Sequence, residues 1–432
     1  MREPNTPPFF VRPGEAALYS VQERKRTLRE TLVREVFDSD LLKQTRPLVA
    51  DSTHSMSSKR QGPADMYNMA GFANLDVITE QLSFKIRNLV DKGDFEVQEI
   101  QRELLQVLAA ELFSMPEKTE GLILHSGSEA NEAALFLAKQ ATQKKMVLTS
   151  NLTHQSVARA CDKLDMEAMQ IDVDPTFGYG VSAENLESFL TKYADKLAAV
   201  VMTAGTTQLG TNEGFSDPPL GKFCRENDIW LHIDAAYGGT IMNLISDEYP
   251  SGIYPHLTEA RSVTVDAHKF VGVYGCSALL LPRWSGQQLI GPEVSYFESK
   301  AAALGTTRSA FEAAVALATM KALGREGLKK LAHTCHNKAV AVADRLEKGG
   351  LHMMVGIESG VVPIELGSQR AVNYMRATLK EKGFLVSPIH IKGENYEKWG
   401  IRIVVTPKAE MTDENLQKFT EAAITAYKEM PD

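Results

Sequence analysis

Cysteine is scarce in this sequence, and surplus positive charge is absent. The first feature argues against a disulfide-bonded or zinc-binding protein, and the second against a nucleic-acid-binding one. The four cysteines show no C-x-x-C spacing: Cys161, Cys224, Cys276 and Cys335. Their scatter argues against a disulfide framework and a zinc knuckle, and it fits a reduced, cytoplasmic setting. Lys plus Arg number 47 against 55 for Asp plus Glu, a formal net charge of −8. Nucleic acid is therefore not expected to be the main partner.

Long apolar runs are missing as well. The sequence contains no stretch of about 18 apolar residues that could span a bilayer. The segment Met1–Pro8 lacks the apolar core of a signal peptide. These two observations predict a soluble, cytoplasmic protein without a membrane partner.

The chain has the composition of an ordinary globular protein, with 44% hydrophobic and 24% charged residues among 432. Strand-like runs alternate with helical patterns as far as about residue 282. This alternation predicts an α/β fold with a mostly parallel sheet and helices on both faces. We predict an N-terminal arm and helical segment at 1–75, a large ligand-binding domain at 76–310 and a small C-terminal α+β domain at 311–432.

A lysine and an aspartate each follow a strand-like run. Lys269 comes shortly after Ser262–Val265, and Asp234 directly follows Ile229–Ile233. Both side chains should reach one cleft, because ligands bind at the carboxyl ends of strands in open α/β sheets. Such a pair suits pyridoxal 5'-phosphate, which needs a lysine for a Schiff base and a buried acid at its ring nitrogen. Taken alone, a lysine after a strand is more often a surface residue.

The residues around this pair resemble a known family. Asp234–Gly239 and Asp266–Lys269 are similar to the two signature segments of the group II pyridoxal-phosphate-dependent amino acid decarboxylases. The resemblance implies a fold-type I architecture, a Schiff base on Lys269, and Asp234 at the ring nitrogen. It also implies a homodimer with the active site at the subunit interface. Two further residues of these segments would contact the cofactor: Ala236 and His268.

Another segment resembles the phosphate loop of the family. Ser126–Asn131 is similar to Gly-Gly-Thr-Glu-Ala-Asn and joins a short apolar strand to a helix. Small residues at such a turn leave backbone N–H groups free for an anion, and the helix dipole favours its charge. Serine is also a common helix N-cap, so the turn alone is weak evidence for a phosphate site. The resemblance implies three phosphate contacts: Ser126, Gly127 and Ser128, the last in place of a threonine.

A histidine and a pair of threonines are predicted to contact the cofactor ring. His154 begins a His-x-Ser-Val-x-x-Ala pattern that resembles the stacking-histidine segment of the family. The alternative is a structural histidine, hydrogen-bonded at the start of a helix. The turn after the next apolar strand resembles the family's Gly-Thr-Thr-x-x-Gly. Its predicted ring contact is Thr207, with Thr206 as the second choice.

Gly305–Ser309 resembles the Gly-Thr-Arg-Ser segment of the family. In fold-type I dimers this turn reaches the phosphate that the neighbouring subunit binds. The resemblance therefore implies that Thr306 and Thr307 contact the cofactor across a dimer interface.

Three segments are predicted to face the substrate. The polar loop around His54 is expected at the mouth of the site, with a plain surface loop as the alternative. Tyr296 is the predicted proton donor to Cα, because related decarboxylases close a tyrosine-bearing loop over the site; a structural tyrosine is the alternative. Arg402 resembles the C-terminal strand arginine that grips a substrate carboxylate in many fold-type I enzymes.

His333, Cys335 and His336 lie close together in sequence, which raises the question of a metal site. Histidines at i and i+3 on an amphipathic helix, without further ligands, do not complete a metal site. We predict a pair of surface histidines and no bound metal.

The predicted reaction is decarboxylation of an L-amino acid to the amine. Lys269 holds the cofactor, Asp234 balances the ring nitrogen, and His154 stacks on the ring. Tyr296 or Lys269 then returns a proton to Cα. A C–C lyase, a β-eliminase and an aldehyde synthase are alternatives on the same fold, since the bond that breaks depends on which substituent the pocket orients. A non-catalytic structural relative is a second alternative, and the intact lysine and aspartate argue against it.

Overall fold

A computed structural model of the chain describes residues 64–65, 90–91, 95–115, 119–213, 220–247, 257, 259–272, 275–282, 308–309, 311–407 and 411–431. Most of the predicted N-terminal segment 1–75 lies outside these ranges. Four predicted site residues also lie outside the described residues: His54, Tyr296, Thr306 and Thr307.

The described residues form strands and helices that alternate through the first two thirds of the chain. The strands are β1 Ala64–Asp65, β2 Val90–Asp91, β3 Glu120–Leu124, β4 Met146–Ser150, β5 Glu167–Ile171, β6 Leu197–Thr203, β7 Trp230–Asp234, β8 Ser262–Asp266, β9 Ser277–Leu281, β10 Arg308–Ser309, β11 His352–Met353, β12 Val361–Glu365, β13 Phe384–Leu385, β14 Ser387–Lys392 and β15 Glu397–Val404. The helices are α1 Phe95–Phe113, α2 Gly127–Thr142, α3 Gln155–Lys163, α4 Ala183–Tyr193, α5 Leu220–Glu226, α6 Gly238–Leu244, α7 Phe311–Lys348, α8 Gln369–Glu381 and α9 Asp413–Lys428.

The large sheet has seven strands in the order β3-β9-β8-β7-β6-β4-β5. The strands from β8 to β5 along this order are parallel, whereas β9 runs antiparallel to both of its neighbours. Every residue of β4, β6, β7 and β8 is buried, which explains their continuous apolar character. The predicted α/β fold with a mostly parallel sheet is therefore confirmed.

Helix α2 shows how the sequence places one wall of the site. Ser126 caps its N-terminus by accepting a hydrogen bond from the Glu129 N–H, and Gln143 ends it in the left-handed region at φ 57°. The small residues Ala130 and Ala134 are fully buried against the large sheet. This close packing holds the first turn of α2 at the carboxyl edge of the strands.

The C-terminal part is an antiparallel sheet in the order β11-β12-β15-β14, covered by α8 and α9. Helix α7 connects it to the large sheet and is interrupted at Gly324, whose φ of 58° is not helical. Buried residues of α7 as far as Cys335 belong to the core of the large sheet, and those from Ala339 onward belong to the core of the small one. Helix α7 therefore packs against the core of the large sheet up to Cys335 and against the core of the small sheet from Ala339.

The small sheet also contacts the turn that follows β6. Tyr237 Oη donates a hydrogen bond to the Val405 carbonyl at 2.9 Å. Ser359 Oγ donates to the Gly210 carbonyl at 3.0 Å. These bonds hold the 205–212 turn and the start of α6 against the C-terminal strands, which fixes one side of the cavity described below.

The prediction of a surface histidine pair on α7 is wrong. His336 is only 2% exposed and Cys335 is equally buried, whereas His333 is half-buried. Helix α7 lies between two hydrophobic cores. A larger part of its surface is therefore buried than the single apolar stripe expected of an amphipathic helix. Within the described ranges, no group of three or more His, Cys, Asp or Glu side chains is placed to hold a metal ion.

The four cysteines are free and buried. Burial raises the pKa of Cys161 to about 11 and that of Cys224 to about 12. Both thiols therefore stay protonated at neutral pH. In the part of the chain that the structure describes, no helix is both long and apolar enough to cross a bilayer.

Candidate active site

Residues at the carboxyl ends of neighbouring strands line one cavity. Thr203 ends β6, Asp234 ends β7 and Asp266 ends β8. The register of β6 and β7 pairs Thr203 with Asp234, so the two side chains point to the same face of the sheet. Lys269 lies three residues beyond the end of β8 and lines the same cavity. The structure thus brings Lys269 and Asp234 into one cleft, as the strand pattern predicts.

The cavity collects most of the described residues that the motifs single out. Its predicted members are Ser126, Gly127, Ser128, His154, Thr207, Asp234, Ala236, His268 and Lys269. Members that the sequence analysis did not select are Asn131, Thr203, Gly205, Tyr237 and Asp266. Thr206 and Arg402 are described but do not form part of the wall.

An ion pair orients Lys269. Its Nζ lies 2.8 Å from Asp266 Oδ2, and Asp266 is almost completely buried. Ser277 Oγ donates to the other carboxylate oxygen, Asp266 Oδ1, at 2.7 Å. The aspartate of the Asp266–Lys269 segment therefore fixes the direction of the amine inside the cavity.

The first turn of α2 forms a polar part of the cavity wall, beside the carboxyl end of β8. Ser126, Gly127 and Ser128 are the cap and the first two helical residues. Glycine is required at 127, because a Cβ there would lie 2.6 Å from Asp266 Oδ1. Backbone N–H groups at a helix N-terminus attract anions, and α2 has 16 residues to contribute to the dipole.

Asp234 is 4% exposed, and its two oxygens have defined partners. The Ala236 backbone N–H donates to Oδ1 at 3.2 Å. Asn131 Nδ2 donates to Oδ2 at 2.8 Å. These bonds fix the plane of the carboxylate while one edge of it still faces the cavity.

His154 caps a helix and also lines the cavity. Its Nδ1 accepts from the Ser156 N–H at 3.3 Å and lies 2.8 Å from Ser156 Oγ, which makes it the N-cap of α3. The same ring lines the cavity. Burial lowers the pKa of His154, although the nearby Asp234 carboxylate opposes the shift. The ring is therefore held in place and neutral at physiological pH.

The threonine pair divides between the cavity and the interior. Thr207 lines the cavity, whereas Thr206 is fully buried with its Oγ1 3.4 Å from Thr211 Oγ1. The Arg402 guanidinium donates a hydrogen bond to the Thr207 backbone carbonyl. Burial lowers the pKa of Arg402 to about 10, so it remains charged. A role for Arg402 in binding substrate stays a prediction, and its contact in this structure is with the turn.

A buried acid behind the cavity has no counterpart in the motifs. Glu213 is fully buried and accepts from Ser150 Oγ at 2.5 Å and from the Thr203 N–H at 2.6 Å. Burial raises the pKa of Glu213 to about 7, even though these hydrogen bonds favour the carboxylate. A polar residue in a loop gives no periodic signal, so the sequence analysis passed over it.

Comparison with known proteins identifies the family. The profile described as "Pyridoxal-dependent decarboxylase conserved domain" matches residues 98–364, which is more than half of the chain. The chain belongs to this family. It is therefore a pyridoxal-phosphate-dependent amino acid decarboxylase, a carboxy-lyase.

Individual relatives agree with this assignment. The chain is 31% identical over 270 residues to a "Probable L-tyrosine/L-aspartate decarboxylase" of Methanothermobacter thermautotrophicus, covering 61% of this decarboxylase and 70% of the relative. It superposes on glutamate decarboxylase of Lactobacillus brevis with a TM-score of 0.74 at 16% identity, covering 98% and 95% of the two chains. Superposition on sphingosine-1-phosphate lyase of Burkholderia pseudomallei gives a TM-score of 0.73 at 15% identity, covering 98% of this chain and 92% of the lyase. The fold is therefore that of the fold-type I enzymes.

The cavity of this decarboxylase has the functional groups that its cofactor, pyridoxal 5'-phosphate, requires. The N-terminus of α2 offers N–H groups for a phosphate. Lys269 offers an amine for the aldehyde, and Asp234 offers a carboxylate for the ring nitrogen. The residues present therefore fit the group.

Proposed function

We propose that this cavity removes carbon dioxide from Cα of an L-amino acid and releases the amine, with Lys269 as the residue that carries the cofactor. The observation that carries the proposal is that Lys269, Asp234 and the first turn of α2 line one cavity. When bound, pyridoxal phosphate supplies an electron sink for the pair of electrons that the broken Cα–carboxylate bond leaves behind.

The side chains divide the work of holding the reactants. Asp266 directs the Lys269 amine into the cavity through the 2.8 Å ion pair. Asp234 presents a carboxylate to the ring nitrogen and thereby stabilises a proton there. His154, fixed as the N-cap of α3, forms a flat wall against which a ring can stack. Ser126, Gly127 and Ser128 complete the predicted anion site.

The reaction also needs a proton at Cα. Loss of carbon dioxide leaves an electron pair on that carbon, and one proton must replace the carboxylate to give the amine. Lys269 Nζ lies in the cavity and is one candidate donor. Tyr296, outside the described residues, is the other, in line with the closing loop of related decarboxylases.

The relatives suggest where to look for the substrate. Their names specify tyrosine, aspartate and glutamate, so we propose these three amino acids as the first to test. We also propose that the enzyme is a cytoplasmic homodimer in which Thr306 and Thr307 of one subunit approach the phosphate of the other. Sedimentation equilibrium of the cofactor-loaded protein tests the assembly, and a monomer with full activity would contradict it.

The decisive experiment incubates the cofactor-loaded protein with a panel of amino acids in deuterated water and identifies the products by mass spectrometry. We expect an amine that carries one deuterium at Cα. The variant Lys269→Ala should lack both this product and the visible absorbance of the bound cofactor. A variant that retained turnover would contradict the role of Lys269.

The same products separate the alternatives on this fold. The TM-scores of a decarboxylase and a lyase, 0.74 and 0.73, are too close for the fold to choose between them. An aldehyde, an alkene or a keto acid in place of the amine would establish other chemistry in this cavity. Absence of any product, with cofactor bound, would favour the non-catalytic alternative.

A further inference from the structure

Behind Asp234 lies a group of polar side chains in a place where apolar ones are expected. Trp230 and His232 share a face of β7 with Asp234, and Ser262 and Thr264 lie beside them on β8. Asn131 of α2 covers this face. All of these except Asp234 are at most 1% exposed. Buried polar groups are costly unless each is hydrogen-bonded, so their arrangement calls for a physical reason.

The hydrogen bonds form one chain. Trp230 Nε1 donates to Ser262 Oγ at 2.7 Å, and Ser262 Oγ lies 2.7 Å from His232 Nδ1. His232 Nε2 lies 3.1 Å from Asn131 Oδ1. Asn131 Nδ2 reaches Asp234 Oδ2 at 2.8 Å. The chain thus runs from the interior of the sheet to the edge of the cavity.

The two ends of this chain fix the direction of every bond in it. An indole N–H can only donate, and an ionised carboxylate can only accept. Asn131 must therefore direct its amide N–H groups at Asp234 and its oxygen at His232. Burial lowers the pKa of His232 to about 4, so the ring is neutral and has one donor. That donor is Nε2, which leaves Nδ1 to accept from Ser262.

Asn131 is the centre of the group because all of its hydrogen-bonding capacity is used. Its oxygen accepts from His232 Nε2 and, at 2.8 Å, from Thr264 Oγ1. Its amide nitrogen donates to Asp234 and, at 3.0 Å, to Ser156 Oγ. Ser156 Oγ in turn lies 2.8 Å from His154 Nδ1. One amide therefore connects the residue predicted at the ring nitrogen with the one predicted to stack on the ring.

We propose that Asn131 is a positioning residue that holds Asp234 and His154 in fixed relation to the cofactor ring, and that His232 acts through it. The proposal rests on the proposed function, in which Asp234 meets the ring nitrogen. Without the Asn131 amide, Asp234 Oδ2 loses a charge-assisted hydrogen bond and the carboxylate can rotate away from the ring.

The test compares Asn131→Ala with Asn243→Ala. Asn243 is a buried asparagine of α6 that donates to the Leu112 carbonyl at 2.6 Å and does not line the cavity. Cofactor is titrated onto each full-length protein, and its visible absorbance is followed as a function of pH. We expect Asn131→Ala to weaken cofactor binding about tenfold and to shift the pH midpoint of the absorbance. Asn243→Ala should leave both unchanged, although both variants unfold at a lower temperature.

Two further comparisons keep the proposal open to refutation. In the Asp234→Asn background, Asn131→Ala should weaken cofactor binding less than it does in the unaltered protein, because only the contact through Ser156 to His154 is left to lose. His232→Gln, whose amide can replace the Nε2–H donor, should bind cofactor more tightly than His232→Leu. The His232 pair tests the same chain of bonds if Asn131→Ala does not fold.

The outcomes distinguish a failure of the positioning role of Asn131 from a failure of the proposed role of Asp234. If Asp234→Asn changes the absorbance and affinity of the cofactor but Asn131→Ala does not, the positioning role is wrong and the proposed role of Asp234 stands. If neither variant has an effect, the placement of Asp234 at the ring nitrogen fails as well. Additive effects of the two substitutions would mean that Asn131 acts independently of Asp234, which also overturns the proposal.

Discussion

Asp234 and Glu213 are buried carboxylates near Thr203, and they differ in whether the carboxylate can still contact a ligand in the cavity. Asp234 is held by two N–H donors and still faces the cavity. Glu213 is fully buried and takes no part in the cavity wall. Its oxygens accept from Ser150 Oγ and from the Thr203 N–H. One acid is thus fixed but available to a ligand, and the other is occupied entirely by the protein.

The difference shows how the same side-chain chemistry serves two purposes. Glu213 connects the carboxyl ends of β4 and β6, at Ser150 and Thr203 respectively. The turn after β4 leads directly to His154, so Glu213 stabilises the turn from which that ring projects. Asp234 contacts the reacting group itself under the proposed function. Substitutions at the two acids should therefore affect different properties.

The largest expected difference is in turnover. Asp234→Asn removes the charge proposed to face the ring nitrogen, and we expect kcat/KM for decarboxylation to fall roughly a hundredfold to a thousandfold. Glu213→Gln preserves shape and hydrogen-bonding reach, and it should keep kcat/KM within about threefold of the unaltered enzyme. Steady-state kinetics on both purified variants test this. Equal losses at the two positions would show that Glu213 also belongs to the catalytic machinery.

Of the two acids, only Asp234 could be placed in the cavity from the sequence. Both Asp234 and Lys269 follow apolar runs that had to be buried strands, and the carboxyl ends of parallel strands share one edge. The antiparallel direction of β9 is also a local consequence, because the short 267–276 connection cannot make a parallel crossover. The fold therefore follows largely from hydrophobic periodicity and connection length.

The residues that the sequence analysis missed depend on contacts between distant segments. The bond from His232 to Asn131 joins positions 101 residues apart, and no periodicity reports such a partner. A signal did exist, because Asn131 lies next to buried alanines of α2 and His232 lies within a buried strand. The mistaken surface assignment of His336 has the same origin: spacing along a helix does not show that a second core covers the opposite side.

A smaller difference between the acids should appear in the pH dependence of stability. The pKa of Glu213 is raised from 4.5 to about 7, so the folded state binds its proton more tightly than the unfolded state. Its stabilisation is complete below pH 4.5 and is lost as pH rises through about 7. At 1.36 kcal/mol per unit, the contribution is about 3 kcal/mol. Relative to the unaltered protein, Glu213→Gln should gain stability across this window in urea unfolding at a series of pH values.

His232 provides the opposite dependence for comparison. Its pKa is lowered from 6.5 to about 4, so its stabilisation is present above pH 6.5 and is lost as pH falls toward 4. The two residues oppose each other between pH 4.5 and 6.5, and the unaltered protein should show a flatter profile than either variant. If His232→Gln and Glu213→Gln changed the profile in the same direction, the assignment of these groups would be wrong.

The smallest effect is expected at the hydroxyl that connects Glu213 to the His154 turn. Ser150→Ala removes the 2.5 Å donor to Glu213 and the acceptor for the Leu152 N–H, which should lower the free energy of unfolding by about 1–3 kcal/mol. It should also raise the pKa of Glu213 further, since a bond to the carboxylate is lost. Thr149→Val is the matched control on the same strand, because Thr149 Oγ1 bonds only weakly to the Met169 carbonyl at 3.3 Å. If only Ser150→Ala moves the pH midpoint of stability upward, Glu213 acts through this hydroxyl. An equal pH midpoint in the two variants would limit Ser150 to a local turn bond and leave Thr203 as the main partner of Glu213.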